Sequence, residues 1–349
     1  MRRASKLRHH AAVRNTRPML PLDDEKSGWK IAAPPPPLSL ATVNELLLRW
    51  RGSRRITAVL PLDGGLMNRN YRIRFGDSAE SFVLRFFDRD PNACGKEAAV
   101  LTLVGGDVPV PEVLHVDSNG TDEFPPFLVE RFVDGISLRE LKRLGDAQSV
   151  AEAAYDAGRI VARIARHTFD RAGLLTPTLA IDSGEFEGIS TSSLVDHYAQ
   201  SPVFRRRIDS ALQERLQTWA RAIEGRIAES PSVSLVHGDF NSPNILVRED
   251  DGRWIVAAIL DWEFAFAGTI WCDVGNMLRY ERPDRPRYEP HFSRGCADGG
   301  LRMPDDWRER ARLADLPALC ELLGREAVPD SVVDELRGLI SATVSAEEI

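Results

Sequence analysis

The sequence predicts an α+β fold with two lobes, a small antiparallel β-sheet followed by a larger and mainly helical part. Between residues 56 and 133, short apolar runs alternate with turn residues, a pattern that is typical of antiparallel strands. From residue 136 to residue 228, apolar residues recur at helical spacing. Two further apolar, β-leaning runs, residues 233–236 and 254–260, interrupt the helical half, and an acid follows each of them.

The first 37 residues differ from the rest of the chain in composition. Basic residues precede the first acid, Asp23, at Arg2, Arg3, Lys6, Arg8, Arg14 and Arg17. Residues 34–37 are a run of prolines that cannot be helical. We therefore expect residues 1–37 to form a disordered basic extension, with a targeting peptide or a docking tail as the alternative.

The overall composition is that of an ordinary globular protein, with 349 residues, 43% hydrophobic and 28% charged. A net charge of −7 disfavours binding to nucleic acid or to anionic membranes and is compatible with a cationic small molecule. No apolar run reaches the roughly 20 residues of a membrane helix. The four cysteines contain no C-x-x-C pair, so we expect reduced thiols in a cytoplasmic protein.

The elements of the first lobe follow from local patterns. Thr42 and Glu45 fit a capping box at the start of a helix over residues 42–51. Alternating or continuous apolar runs predict strands at residues 56–60, 71–75, 81–87 and 126–133.

The second lobe is predicted from helical periodicity. Helices are expected at residues 150–167, 194–229 (broken near Ser201 and Pro202), 307–323 and 331–340, with a loop-rich stretch at residues 168–193. Asp273 is placed to start a further helix, where its carboxylate can cap backbone N–H groups.

Polar residues follow the two β-leaning runs of the second half. Asp239 comes shortly after the first run, Asp261 directly after the second, and Asn244 leaves an Asn-Ser-Pro-Asn turn between them. We expect two strands to bring these three side chains to the same end of one small sheet. One carboxylate could orient a hydroxyl and accept its proton, while the other and the amide oxygen could hold Mg²⁺. This set suits phosphoryl transfer.

Each of these residues also has a purely structural interpretation. An Asp before a turn often caps the backbone, and Asn244 could be a turn residue. We interpret His237 in this structural way, as a brace for the loop. The functional interpretation depends on the ordered set and not on one residue.

The pattern from His237 to Asn244, H-x-D-x-x-x-x-N, with Asp261 after the next strand, resembles the catalytic and metal-binding loops of the protein-kinase-like fold. With Gly238 in the pattern, it is most similar to the aminoglycoside phosphotransferase and choline kinase branch. The resemblance covers about residues 40–340. It implies that Asp239 is the catalytic base and that Asn244 and Asp261 are metal ligands.

The resemblance also implies roles for residues outside the central pattern. Arg85 is on the third strand, where the fold usually carries a lysine that contacts nucleotide phosphates. Glu97, on the following helix, would be its partner. The alternative is an exposed strand arginine with a chance helix glutamate. The remaining implied roles are phosphate contacts in the glycine-containing turn (Gly65, Asn68), purine contacts by the backbone from Glu130 to Phe132, a brace under the catalytic loop (Asp273), and help to the metal or acceptor (Glu263).

The predicted activity follows from this resemblance. We expect residues 38–133 to form the nucleotide-binding lobe and residues 134–349 the catalytic and acceptor-binding lobe. The expected reaction is transfer of the γ-phosphoryl group of ATP, with GTP possible, to a small-molecule hydroxyl in the presence of Mg²⁺. A nucleotide-binding scaffold without transfer activity is the alternative. The short distance from Asp261 to Asp273 leaves no room for a long activation loop, which disfavours a regulated protein kinase. The sequence gives no indication of the oligomeric state.

Overall fold

The computed structural model of the protein describes residues 35–62, 68–76, 78–182, 189–227, 232–282 and 285–345. Its first part contains helices α1 (Leu40–Leu46), α2 (Leu48–Arg51) and α3 (Ala93–Val104), and strands β1 (Ile56–Pro61), β2 (Arg69–Phe75), β3 (Ser81–Phe86), β4 (Val113–Asp117) and β5 (Phe127–Arg131). The strands form one antiparallel sheet in the order β1-β2-β3-β5-β4.

The two faces of this sheet differ in character because side chains alternate along each strand. One face carries Tyr71, Phe75, Phe82 and Phe86, which form an apolar core covered by α1 and α2. The opposite face carries Arg85 and is directed toward the second half of the chain. The first lobe therefore has its own core and presents its polar face to the rest of the molecule.

The start of the first lobe lies earlier than the sequence pattern indicates. The hydroxyl of Ser39 accepts a hydrogen bond from the backbone N–H of Thr42 at 3.0 Å, so Ser39 caps α1 and Thr42 is inside it. The Tyr71 hydroxyl donates to the carbonyl of Pro36 at 2.7 Å, so the last residues of the predicted extension pack on the sheet. The rest of that extension, residues 1–34, lies outside the described residues.

The second part is mainly helical, which confirms the predicted α+β class. Its helices are α4 (Leu138–Arg143), α5 (Ala147–Ile164), α6 (Thr191–Ala199), α7 (Pro202–Arg207), α8 (Ser210–Arg226), α9 (Trp271–Leu278), α10 (His291–Asp298), α11 (Trp307–Leu323) and α12 (Asp330–Ser345). The strands are β6 (Ile136–Ser137), β7 (Gly173–Leu174), β8 (Ser234–Val236), β9 (Ile245–Asp250), β10 (Arg253–Ile259) and β11 (Phe266–Gly268). The predicted break near Pro202 is confirmed, because Ser201 caps α7 and Pro202 is its first residue.

The long helix α5 is the centre of this part, and α10 lies against it at very short range. A Cβ atom at Gly158 would lie 2.1 Å from the backbone oxygen of Phe292, and one at Gly295 would lie 2.0 Å from that of Tyr155. Only glycine permits this approach of the two backbones. No helix within the described ranges is long and apolar enough to cross a membrane.

The six strands of the second part form two separate sheets. Strand β8 pairs with β11, which also pairs with β7, whereas β10 pairs with β9 and β9 with β6. The prediction that Asp239 and Asp261 leave the same sheet is therefore wrong. Strand β10, which precedes Asp261, pairs with β9, the strand directly before it in the chain. A hairpin between consecutive strands needs only a short loop, and a short loop has a low entropic cost of closure.

Candidate active site

The loop between β8 and β9, residues 237–244, is held in a conformation that requires glycine. Gly238 has φ +83°, and a Cβ atom there would lie 2.6 Å from the backbone oxygen of Phe264. The Asp273 carboxylate accepts the backbone N–H groups of His237 at 2.7 Å and of Gly238 at 3.0 Å. These bonds fix the start of the loop on α9.

Asp273 lies within the first turn of α9, two residues after the first residue of the helix, Trp271. Its carboxylate is therefore turned to the loop and does not occupy the N-cap position that the sequence suggested. Burial raises the pKa of Asp273 to about 7, although the hydrogen bonds from the loop favour the charged form.

His237 joins this loop to the segment before Asp261. Its Nδ1 accepts the backbone N–H of Asp239 at 3.1 Å, so its Nε2 carries the proton and donates to the carbonyl of Leu260 at 2.9 Å. The ring is fully buried and packs on Trp262 with 4.5 Å between ring centroids. A neutral, buried imidazole with both nitrogens engaged is suited to positioning the loop.

The Asp239 carboxylate is held by two amide groups. The Nδ2 of Asn244 donates to Asp239 Oδ2 and to the Asp239 backbone oxygen, both at 2.9 Å. The Nδ2 of Asn241 donates to Asp239 Oδ1. Asn241 was not predicted from the sequence, although a second amide residue within the H-G-D-x-N pattern could have indicated it.

The backbone brings Asp261 beside this loop. The N–H of Leu260 donates to the carbonyl of Asn244 at 2.9 Å. Asp261 itself has φ +71°, a left-handed conformation that is uncommon for a residue with a side chain and that turns the chain sharply after β10. Asp261 therefore follows directly on the residue that is bonded to Asn244, and Asn244 binds Asp239, although Asp239 and Asp261 follow strands of two different sheets.

Arg85 reaches across to Asp261 from the first lobe. Its Nη2 contacts Asp261 Oδ1 and lies 3.4 Å from Glu97 Oε2. Glu97 also accepts the backbone N–H of Trp262 at 3.3 Å through its other oxygen. Arg85 and Glu97 are only 7% and 2% exposed, which excludes the interpretation of an exposed arginine with a chance neighbour.

The charged groups of this cluster shift one another's pKa values. Burial disfavours the Arg85 cation, but the combined attraction of Asp261, Glu97, Glu263 and Glu130 outweighs it and raises the pKa of Arg85. Burial raises the pKa of Glu97 above its usual range, and Arg85 opposes that rise. Nearby carboxylates thus make Arg85 a permanent cation in the cleft between the two parts of the chain.

A second contact between the two parts involves Asn68, directly before β2. The Nδ2 of Asn68 donates to Glu263 Oε2 at 3.0 Å, and burial raises the pKa of Glu263. Asn68 is the first described residue of the glycine-containing turn predicted from the sequence. Gly65, the other residue predicted in the turn, lies outside the described residues.

The strand register places the side chain of Glu130 in the cleft. Glu130 pairs with Val83, two residues from Arg85, so all three side chains are on the same face of the sheet. Burial raises the pKa of Glu130 to about 7. The N–H of Phe132 donates to the carbonyl of Ser81 at 3.0 Å, so a purine could use this group only by replacing a bond of the sheet.

The residues fit Mg²⁺ in its usual protein environment, where water molecules and substrate phosphates provide most of the ligands. Asn244 turns its side-chain nitrogen to Asp239, which leaves its side-chain oxygen Oδ1 as a possible ligand, while its backbone oxygen accepts from Leu260, the residue before Asp261. Mg²⁺ is typically held by one or two carboxylates together with substrate phosphates. Across the described residues, no group of three or more His, Cys, Asp or Glu side chains could hold a metal without such help.

Comparison with known proteins gives one family and one fold. Residues 58–315, more than half of the chain, match the model of the phosphotransferase enzyme family (APH). A search of curated proteins finds no match.

Solved structures of aminoglycoside phosphotransferases are similar to this chain over most of its length. A thermostable mutant of APH(4)-Ia in ternary complex with ADP and hygromycin B has a TM-score of 0.64 at 20% identity, covering 88% of this chain and 100% of that chain. Aminoglycoside 2'-phosphotransferase-IIIa with GDP has a TM-score of 0.66 at 16% identity, covering 88% and 99%. APH(2")-IIia with GDP and kanamycin has a TM-score of 0.65 at 16% identity, covering 86% and 98%. These similarities confirm the predicted protein-kinase-like two-lobed fold.

Proposed function

Because the chain belongs to the phosphotransferase enzyme family, we propose that it transfers the γ-phosphoryl group of ATP or GTP to a hydroxyl group of a small molecule. One observation carries this proposal. The side-chain amide of Asn244 binds the Asp239 carboxylate, and the backbone carbonyl of Asn244 accepts from the N–H of Leu260, the residue before Asp261. These contacts support a site in which Asp239 acts as a base close to the two proposed oxygen ligands, Asn244 and Asp261.

Asp239 is the proposed catalytic base. An ionised carboxylate only accepts hydrogen bonds, so it can align an acceptor hydroxyl and take its proton as the phosphoryl group transfers. The amides of Asn241 and Asn244 restrict rotation of this carboxylate. Alignment of this kind is most of what a protein contributes to phosphoryl transfer, because the reacting phosphoryl group needs little covalent help.

Asn244 and Asp261 are the proposed ligands for Mg²⁺. When bound, this ion would neutralise charge on the phosphate oxygens. Arg85, supported by Glu97, is placed to attract the same phosphates, since an arginine can bind phosphate in a bidentate manner. The hydrogen bond from Asn68 to Glu263 brings the start of β2 close to this site.

The two lobes divide these tasks in the proposal. Residues 38–133 would bind the nucleotide, and residues 134–349 would supply the base and the acceptor pocket. The solved relatives were obtained with ADP or GDP and with hygromycin B or kanamycin, which makes aminoglycosides one acceptor class to test here. ATP and GTP both remain candidate donors for the same reason.

The first test is Mg²⁺-dependent nucleotide consumption by the purified protein. ATP and GTP should each be assayed against aminoglycosides, macrolides, amino alcohols and sugars. Removal of a general base typically lowers the rate roughly 10²- to 10⁴-fold, so Asp239→Asn should lose turnover and keep nucleotide binding. Asp122→Asn, the same change on an exposed loop, is the matched control and should retain full activity.

The outcomes of this test separate the candidate functions. Acceptor-stimulated turnover that disappears in Asp239→Asn supports the proposal and identifies the acceptor class. Near-normal turnover in Asp239→Asn contradicts the role of Asp239. Nucleotide binding without turnover on any acceptor favours the scaffold function instead.

A further inference from the structure

The side chain of Asn241 joins the Asp239 carboxylate to helix α9. Its Nδ2 donates one hydrogen bond to Asp239 Oδ1 and another to Asn276 Oδ1, the latter at 3.2 Å. Asn241 and Asn276 are only 3% and 6% exposed. The site described above uses neither Asn276 nor the link through it.

The chemistry of the amide explains why Asn276 matters for the orientation of Asn241. An amide nitrogen carries two hydrogens, and both are used here, one on each neighbour. If the amide were turned over, its oxygen would face two acceptor oxygens, Oδ1 of Asp239 and Oδ1 of Asn276, without a hydrogen between them. The acceptor oxygen of Asn276 therefore favours the orientation in which Asn241 donates to Asp239.

A second observation shows that this orientation leaves one buried oxygen without a hydrogen bond. The Oδ1 of Asn241 is buried and has no hydrogen-bond partner within the part of the chain that the structure describes. A buried polar atom normally has a partner, and one without a partner is often found at a functional site. The two donated bonds thus determine the orientation although they leave the oxygen unsatisfied.

Asn276 is not the only residue of α9 that binds the loop at residues 237–244. Asp273, three residues earlier and on the same side of the helix, binds the backbone N–H groups of His237 and Gly238. One helix face therefore fixes the backbone of the loop through Asp273 and reaches the reactive side chain of the loop through Asn276.

We propose that Asn276 is a positioning residue, which acts through Asn241 to hold the Asp239 carboxylate in the orientation that meets the acceptor hydroxyl. This inference rests on the proposed function of Asp239. It assigns to α9 a direct influence on turnover and none on nucleotide binding, because neither amide belongs to the nucleotide or metal residues.

The test compares Asn276→Leu, which is similar in size and lacks the acceptor oxygen, with Met277→Leu, a buried neighbour on the same helix that serves as the packing control. We expect kcat to fall about 10- to 100-fold in Asn276→Leu, because small misplacements of reacting groups have effects of this size. Nucleotide affinity should change less than about twofold, as for a group that acts only in the transition state. Met277→Leu should keep both values.

A double-mutant cycle with Asn241→Ala shows whether Asn276 acts through Asn241. If it does, adding Asn276→Leu to Asn241→Ala should change kcat little further, since the link is already broken. An equal loss of kcat in both backgrounds, or a kcat for Asn276→Leu close to that of the unmodified protein, would overturn the inference.

A crystal structure of Asn276→Leu supplies a readout that needs no turnover. We expect the Asn241 side chain to shift once its bond to residue 276 is lost, and the Asp239 carboxylate to rotate with it. If both side chains keep their orientation, the positioning role is wrong even where the protein transfers phosphate normally. If the chain proves to have no transfer activity at all, the proposed function fails, and the same structure still decides the positional claim.

Discussion

Arg85 is the cation on which the charge balance of the cleft depends, and Arg85→Met removes it without removing the acids around it. Glu97 lies 3.4 Å from Arg85, and Asp261 contacts it directly. Glu130 and Glu263 add to the negative potential at Arg85. Removing one partner of a buried ion pair typically destabilises a protein by about 3–5 kcal/mol, and we expect a loss of this size at pH 8.

The loss should depend on pH because the remaining acids can take up protons. Without Arg85, which lowers the pKa of Glu97 and of Glu130, both values rise further. Each proton that the folded variant binds in excess of the folded unmodified protein makes the loss of stability smaller by about 1.4 kcal/mol for every pH unit of acidification. The difference in unfolding free energy between variant and unmodified protein should therefore shrink from pH 8 to pH 6.

Urea unfolding followed by tryptophan fluorescence measures this difference, since Trp262 is fully buried next to the cluster. Arg85→Lys is the matched variant. It keeps the charge and loses the planar fork, so its loss should be smaller and less dependent on pH. A loss below about 1 kcal/mol for Arg85→Met at pH 8, where a broken buried pair predicts several, would refute the electrostatic reasoning. A loss that is the same at pH 6 and pH 8 would refute it equally.

Two further predictions concern stability. Burial raises the folded-state pKa of Glu97 to about 8 and of Glu130 and Asp273 to about 7. An acid with a raised folded-state pKa stabilises the fold fully below its unfolded pKa and loses that contribution as pH rises through the folded value. The unfolding free energy should therefore fall as the pH rises from about 4 to 8. Glu130→Gln should make the slope of unfolding free energy against pH less steep, and an unchanged slope would contradict the assignment. Gly158→Ala should cost about 1–3 kcal/mol by overpacking the contact of α5 with α10. The same change at Gly225, which has no atom within 4 Å of the new Cβ, should stabilise α8 by about 0.5–1 kcal/mol, and equal thermal shifts for the two would contradict the packing argument.

Most of the elements that frame the site could be predicted from the sequence because their signals are local. An apolar run predicted the strand that carries Arg85. The apolar runs before Asp239 and Asp261 correspond to β8 and β10. In each of these cases the deciding pattern lies within about ten residues, the length of a typical element.

Predictions from the sequence were wrong mainly where a structural feature depends on a residue or strand that is distant in the chain. The sequence predicted one sheet for the strands before Asp239 and Asp261, but strand pairing depends on which edges are available in three dimensions. It placed Thr42 at a helix cap, although Ser39 offers the same chemistry three residues earlier. Asp273 has the composition of a cap, and only the packing of α9 under the loop turns its carboxylate to His237 and Gly238.

Local sequence patterns specify the order of the elements, the fold class and the residue types available for phosphoryl transfer, because periodicity and turn chemistry act between near neighbours. The folded structure alone specifies which of these residues meet. It brought Arg85 to Asp261 across 176 positions, Asn68 to Glu263 across 195 and Asn241 to Asn276 across 35. Such contacts depend on how whole lobes and helices pack, and no local pattern specifies that packing.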